Sequence, residues 1–239
     1  MPFPDELALG LAVVSYNPGW PREFRALASR LQAALRSLAQ SVDHIGSTAV
    51  PGLAAKDCID IQVRVEHLDG TPIVSAFDAI GFRLRPEPWN RVEITAGTRW
   101  PKLVFAAPIG ERASNVHVRE AASATTRRNL LFRDFLRADD PARDAWGDFK
   151  QRLVQSATNI YDYGQIKSPA TEILMIAAED WARRTAWTST LCPHVQIDPE
   201  RFISGDSSAS SQCGPRRQLA NRGGPASGLS EHVRLPHKT

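Results

Sequence analysis

Cysteine is scarce in this sequence. There are three, Cys58, Cys192 and Cys213, and no two of them form a C-x-x-C pair. That spacing argues against a zinc site and against a disulfide framework. Cys58, at the edge of an apolar run, reads as a small core residue rather than a nucleophile. Long apolar runs are absent too: nothing approaches the roughly 18 uninterrupted apolar residues of a membrane span. The N-terminus lacks the basic segment and apolar stretch of a signal peptide. A soluble, cytoplasmic protein with no membrane partner is the expectation. Charge of one sign is also in short supply, with a formal net charge of +3 over 239 residues. That is too little to argue for nucleic acid on electrostatic grounds. No internal repeat is evident, and no P-loop of the G-x-x-x-x-G-K-[ST] type occurs.

What the chain does have is core material, with 42% hydrophobic residues, enough for one large or two small domains. The stretch His44–Val65, HIGSTAVPGLAAKDCIDIQVRV, organises the rest. It reads as a short strand, a Gly46–Ser47 turn, a loop limited by Pro51 and Gly52, and a second strand. In the second strand Ile59, Ile61, Val63 and Val65 alternate with Asp60, Gln62 and Arg64, so one face is apolar and the other polar. Backbone N–H groups at a turn can face an anion, so a Gly-Ser turn beside a strand carboxylate is a candidate phosphate-and-metal site. On spacing alone a structural reading comes first, because a polar strand face is common and a fold does not imply a function. Asp57 and Asp60, three apart, point to opposite faces of a regular strand and cannot share a metal.

Further along, Pro21 to about Gln40 carries Phe24, Leu27, Leu31, Leu35 and Leu38 at helical spacing, with its arginines on a solvated face. Helices are also expected over Thr71–Ile80, over Thr125–Arg137 with Ser123 as N-cap, from Asp140 and Pro141 onward, and from Ser168 and Pro169 to about Thr185. Short strands are expected at Leu11–Tyr16, Phe82–Leu84, Arg91–Thr95, Lys102–Ala106 and Asn115–Val118. Tyr161–Lys167 reads as a polar link. The result is an α+β domain over residues 1–188, with a mixed sheet of about five strands. Ser, Gly, Pro, Gln and Arg dominate from Ser204 on, so a disordered tail is expected over 189–239.

HIGSTAVPGLAAK followed by a strand containing I-D-I resembles the signature of the GrpB family, which is similar to the nucleotidyltransferase superfamily of DNA polymerase beta. YNPGWPREF at Tyr16–Phe24, NVHV at Asn115–Val118, LLFRDFLR at Leu130–Arg137 and YDYGQIKSP at Tyr161–Pro169 agree with it. The likeness covers roughly residues 11–186. It implies a nucleotidyltransferase-like fold and a pocket for a nucleoside triphosphate with magnesium. In it Gly46 and Ser47 hold the phosphates, Asp60 ligates the metal, Lys56, Arg64 or Arg133 balances charge, and Lys167 is a further pocket residue. His117 becomes a candidate base, acid or neutral ligand, against a plain hydrogen-bonded histidine.

The superfamily's second carboxylate would stand at Gln62. An amide oxygen can ligate a cation but carries no charge, which puts two-metal transfer in doubt. For the third acidic position Glu93 and Glu120 are available. Lys56 is open between a phosphate contact and solvent, and Arg133 between a pocket contact and an ion pair. His44 is expected to be a hydrogen-bonded structural residue. If chemistry occurs, it is transfer of a nucleoside monophosphate to an unknown acceptor. The alternatives are an inert nucleotide-binding or accessory module, as in relatives fused to dephospho-coenzyme A kinases, and a structural protein-binding domain.

Overall fold

A computed structural model describes residues 3–8, 10–95 and 97–189. Its elements run α1 (Pro4–Leu7), α2 (Trp20–Leu35), β1 (Ser41–Ile45), β2 (Ile59–Val65), α3 (Gly70–Asp78), β3 (Arg83–Leu84), β4 (Val92–Thr95), β5 (Thr98–Pro101), β6 (Leu103–Ala106), β7 (Ser114–Glu120), α4 (Ala124–Ala138), α5 (Asp140–Ser156) and α6 (Ile160–Thr185). Five strands form a mixed sheet in the order β1-β2-β7-β6-β3, with β2 and β7 parallel and the other pairs antiparallel. β4 and β5 form a separate hairpin. The architecture is α+β, as the alternation of strand and helix patterns predicts.

Alternation along β2 decides which layer covers which face. Ile59, Ile61, Val63 and Val65 are at most 1% exposed. The parallel register sets Val116 of β7 opposite Ile61 and Val118 opposite Val63, so the apolar surface continues across the sheet. Trp20, Leu27, Leu31 and Leu35 of α2 and Ile73 and Phe77 of α3 close over it. Phe77 stacks on Phe105 of β6 with ring centroids 3.8 Å apart. Each such large side chain contributes about 1.5–3 kcal/mol by leaving water. Arg22, Arg25 and Arg36 are exposed, as a solvated helix face requires.

The other face is polar, as the alternation along β2 predicts, but most of it does not lie open to solvent. Register brings Asp60 opposite Asn115, Gln62 opposite His117 and Arg64 opposite Arg119, with Asp43 beside Gln62. Most of these groups are covered: Gln62 is fully buried, and Arg64 and Arg119 are each 2% exposed. Burial is tolerated because the charges are paired with good geometry. Arg64 grips Asp43 with two hydrogen bonds of 2.8 and 3.0 Å. Arg119 grips Glu93 of β4 with bonds of 2.9 and 2.7 Å and also donates to Gln62 Oε1 at 3.3 Å. Helices α4, α5 and α6 pack beyond this layer on their own cluster, with Leu131, Phe135, Trp146, Met175 and Ala178 at its centre.

Two local expectations are corrected, and one strand is added. Leu11–Tyr16 makes no strand, only an isolated bridge from Val14 to Ala55. Thr98–Pro101 is a strand, turned back on β4 through Gly97 at φ +75°. Tyr161–Lys167 is not a link but the first two turns of α6. Asn159 caps that helix by accepting from the Tyr161 and Asp162 N–H groups, both at 2.9 Å. Pro169 is exposed inside α6, where water can satisfy the carbonyl left without a donor. Ser123 caps α4 as expected, accepting from the Thr126 N–H at 3.2 Å. No helix among the described residues is long and apolar enough to cross a membrane. The expected tail, apart from Ser189, falls outside the described residues.

Replacing Arg64 by methionine leaves Asp43 buried without its cation. Arg64→Met is expected to lower stability by about 3–5 kcal/mol, read from urea unfolding. A loss below about 1 kcal/mol would show that the pair does not hold the β1–β2 layer.

Candidate functional site

The site begins where β1 ends. Gly46 has φ +69°, a left-handed conformation that side chains with a Cβ resist. A Cβ there would also lie 2.6 Å from Asp60 Oδ2. Glycine therefore does two things: it turns the chain and lets the Asp60 carboxylate lie against the turn. Ser47–Ala49 follows as a 3-10 turn. Across the strand pair, Asn115 Nδ2 donates to Asp60 Oδ1 at 3.3 Å.

Three lysines face this carboxylate from three directions. Lys150 comes from α5 and is 2% exposed. Its Nζ donates to Ser47 Oγ at 2.9 Å and to the Ala54 carbonyl. Lys56 precedes β2, and Lys167 comes from α6. Both set their ammonium groups 5.9 Å from the centre of the Tyr163 ring, in cation–π range. The three lysines, Ser47 and Tyr163 line one cavity of about 380 Å³, together with Gly46, Asp60, Asn115 and His117. Among the described residues none of the three lysines is in an ion pair, and neither is Asp60.

Burial sets the protonation chemistry. It pushes the Lys150 ammonium down to about 7, with the charge of Lys167 acting the same way and Asp60 partly opposing. Burial and then Lys56 also lower Lys167. His117 is held well below its usual value by burial, then by Arg119 and Lys102, so it is neutral. Its Nδ1 is buried with no hydrogen-bond partner. Cys58 is pushed up to about 12 by burial and by Asp60, which leaves an inert thiol rather than a nucleophile. Burial works against the Glu93 charge, but Arg119 and Lys102 hold its carboxyl well below the usual range.

Of the residues singled out in the sequence, Gly46, Ser47, Lys56, Asp60, His117 and Lys167 share the cavity. Gln62, Arg64 and Arg133 do not line it. Gln62 is spent on Arg119 and on the Thr126 carbonyl at 3.4 Å. Arg64 is spent on Asp43. Arg133 forks onto its neighbour Asp134 at 2.7 and 3.1 Å and donates to the His44 carbonyl at 3.2 Å, so its ion pair lies within α4 rather than between helix and sheet. His44 is structural: its ring lies on Phe24 and its Nε2 is 3.0 Å from Thr48 Oγ1. Burial, then Arg137 and Arg133, lower it to about 3. Of the two glutamates, Glu93 lines the cavity but is engaged by Arg119 and Lys102, and Glu120 accepts from the Leu68 N–H at 3.1 Å.

A family model described as GrpB protein matches residues 10–175 of this chain. The chain belongs to the GrpB family. A UPF0157 protein of Halalkalibacterium halodurans is 32% identical over 169 residues, covering 69% of this chain and 80% of the relative. A dephospho-CoA kinase of Mycolicibacterium paratuberculosis is 35% identical over 193 residues, covering 73% of this chain and 47% of the kinase. The chain thus spans about half the length of that relative. The solved structure of the GrpB protein of Enterococcus faecalis overlays with a TM-score of 0.60 at 26% identity, over 71% of this chain and 99% of that one.

Lys150 is the residue of this GrpB site that the sequence reading passed over. A signal was present: it stands between Trp146 and Leu153 on the buried stripe of α5. A lysine on an apolar stripe either snorkels out or has a buried partner, and here the partners are Ser47 and the Ala54 carbonyl. Asn115 and Tyr163 sat inside the quoted motifs without being given a role.

Gly46→Ala is expected to lose more than the roughly 1–2 kcal/mol of a left-handed Cβ, because the new methyl also meets Asp60. In an Asp60→Ala background the same substitution should lose measurably less, a coupling seen in a double-mutant cycle of urea unfolding. Additive losses would contradict the close approach of the turn and the carboxylate.

Proposed function

We propose that this cavity binds the phosphate chain of a nucleoside triphosphate, and that the protein works as a nucleotide-binding module of nucleotidyltransferase-like descent. One observation carries the reading: three lysines without carboxylate partners among the described residues converge on one cavity beside Ser47. Uncompensated cations in a half-enclosed site draw a polyanion. In this reading Lys56, Lys150 and Lys167 neutralise the phosphates. The Gly46–Ser47 turn presents the Ser47 hydroxyl and the backbone, and Lys150 holds that turn in place.

Magnesium accompanies such a ligand in the resemblance, and the donor set supports one ion at most. A magnesium ion needs one or two carboxylates plus substrate phosphates, and Asp60 supplies one. A second metal finds no free anionic ligand in the cavity among the described residues: Gln62 faces Arg119, and Glu93 is held by Arg119 and Lys102. Among the described residues no group of three or more His, Cys, Asp and Glu could hold a metal. When bound, such an ion supplies charge neutralisation at the phosphates. Ordinary two-metal transfer is therefore not the favoured activity. An accessory role beside a nucleotide-handling enzyme agrees with the likeness to dephospho-CoA kinases.

A second reading, transfer of a nucleoside monophosphate to an acceptor, is favoured by the contact of Asp60 with the Gly46 turn. There Asp60 and the lysines would orient the phosphates and stabilise charge in the transfer. Pyrophosphate release by the nucleotide that binds separates the two.

Thermal unfolding with ATP, CTP, GTP or UTP, with and without magnesium, tests the proposal. At one hundred times its dissociation constant a ligand adds about 2.7 kcal/mol. Lys167→Ala should weaken binding with or without magnesium, whereas Asp60→Asn should remove only the magnesium-dependent part. Lys150 is charged below about 7, so binding should weaken as pH rises from 6 to 9. Lys150→Met should flatten that dependence. No stabilisation by any nucleotide at millimolar concentration overturns the proposal.

A further inference from the structure

A second cavity, of about 530 Å³, adjoins the first. The two share Lys56, Cys58 and Asn115 as a common wall. The first turns of α6 run between them: Tyr163 and Lys167 face the lysine cavity, while Ile160 and Gly164 face its neighbour. A hydrogen-bond chain links the two walls. Glu6 accepts from Arg85, Arg85 donates to Asn115 Oδ1 at 2.7 Å, and Asn115 donates to Asp60. The second cavity is otherwise different in character. Ala12, Val14, Ala113, Ile160 and Trp89 give it apolar walls, and Trp89 is 58% exposed.

A nucleotide needs somewhere to put a planar base, and the two largest rings lining the lysine cavity, Trp146 and Tyr163, are already engaged. Trp146 is 6% exposed, stacked on Phe149 at 5.2 Å and met edge-on by Phe132 at 6.2 Å. Tyr163 is 3% exposed and already carries two ammonium groups. Trp89, by contrast, has no aromatic or cationic group against its ring among the described residues. An indole face open beside a cationic cavity is suited to a stacked base, and such stacking holds a base whatever its sequence of hydrogen-bonding groups.

We infer that the second cavity is the nucleoside subsite: the base of the phosphate-bearing ligand stacks on Trp89, and its phosphates cross the Lys56–Asn115 wall into the lysine cavity. The inference rests on the phosphate reading above and adds where the other end of the ligand lies. Lys56, on the shared wall and without a carboxylate partner among the described residues, then meets the phosphate nearest the ribose. Trp89 is on the surface in a short 3-10 turn, Pro88–Asn90, so its replacement should leave the core intact.

Binding of ATP and of inorganic tripolyphosphate to the full chain, measured by calorimetry for wild type, Trp89→Ala and Trp89→Phe, tests it. Loss of one stacked base at about 1–3 kcal/mol corresponds to roughly a 5- to 150-fold weaker ATP. The expected result is that loss in Trp89→Ala, partial recovery in Trp89→Phe, and unchanged tripolyphosphate binding throughout. If ATP binds Trp89→Ala as it binds wild type, the base lies elsewhere and the inference is overturned. If both ligands weaken together, Trp89 shapes the site rather than stacking a base, and it is overturned equally. Failure of tripolyphosphate to bind the wild type points instead at the phosphate reading.

Discussion

Charge pairing on the covered face of the sheet is the constraint on which the rest depends. Arg64 with Asp43, and Arg119 with Glu93, set three buried charged groups and the partly exposed Glu93 into the covered layer. An isolated charge at such depth is expensive, and breaking one partner strands the other. The pairs are therefore locked to one another and to β1, β2, β4 and β7, and a ligand cannot recruit them without leaving a charge behind. What remains for a ligand is the set in no ion pair among the described residues: Asp60, Lys56, Lys150 and Lys167. The site is defined by subtraction, and its excess positive charge follows from which pairs the fold has already closed.

Geometry around Asp60 carries the same logic to atomic scale. The carboxylate can lie against the β1 turn only because residue 46 has no side chain. The turn keeps its place because Lys150 reaches Ser47 from α5. That reach puts an ammonium in a poorly solvated position, where Lys150 loses its proton near neutral pH. A polyanion entering the cavity would restore the charge, so ligand and proton bind together. Packing of α5, the Gly-Ser turn and the strand carboxylate are thus one coupled arrangement rather than three independent features.

Much of this was legible in the chain. The alternation Ile59–Val65 gave the central strand and its two faces, and the helix caps and spacings gave α2, α3, α4 and α5 within a few residues. The cavity residues Gly46, Ser47, Lys56, Asp60, His117 and Lys167 were legible through motif resemblance. Periodicity could not say whether the polar face was solvated, because that depends on a helix arriving 64 residues later. Hence Gln62, Arg64 and Arg133, reasonable by type, turn out to be committed to other partners. Lys150 was missed for the converse reason: it hides within an apolar stripe, and its partners Ser47 and Ala54 are about 100 residues away. The continuity of α6 through Pro169 was missed because a proline reads locally as a helix start, whereas residues buried on both sides of it, Tyr163 and Met175 among them, hold one helix.

The central claim is that the three lysines of the cavity, not the arginines held in ion pairs, form the phosphate site. The most direct measurement is a crystal structure of the full chain with magnesium and a non-hydrolysable nucleoside triphosphate. The account predicts phosphate oxygens within hydrogen-bonding distance of Lys56, Lys150 or Lys167, with Arg64 still on Asp43 and Arg119 still on Glu93. Phosphates bound to Arg64 or Arg119, with either pair broken, or bound away from the lysine cavity, would contradict it.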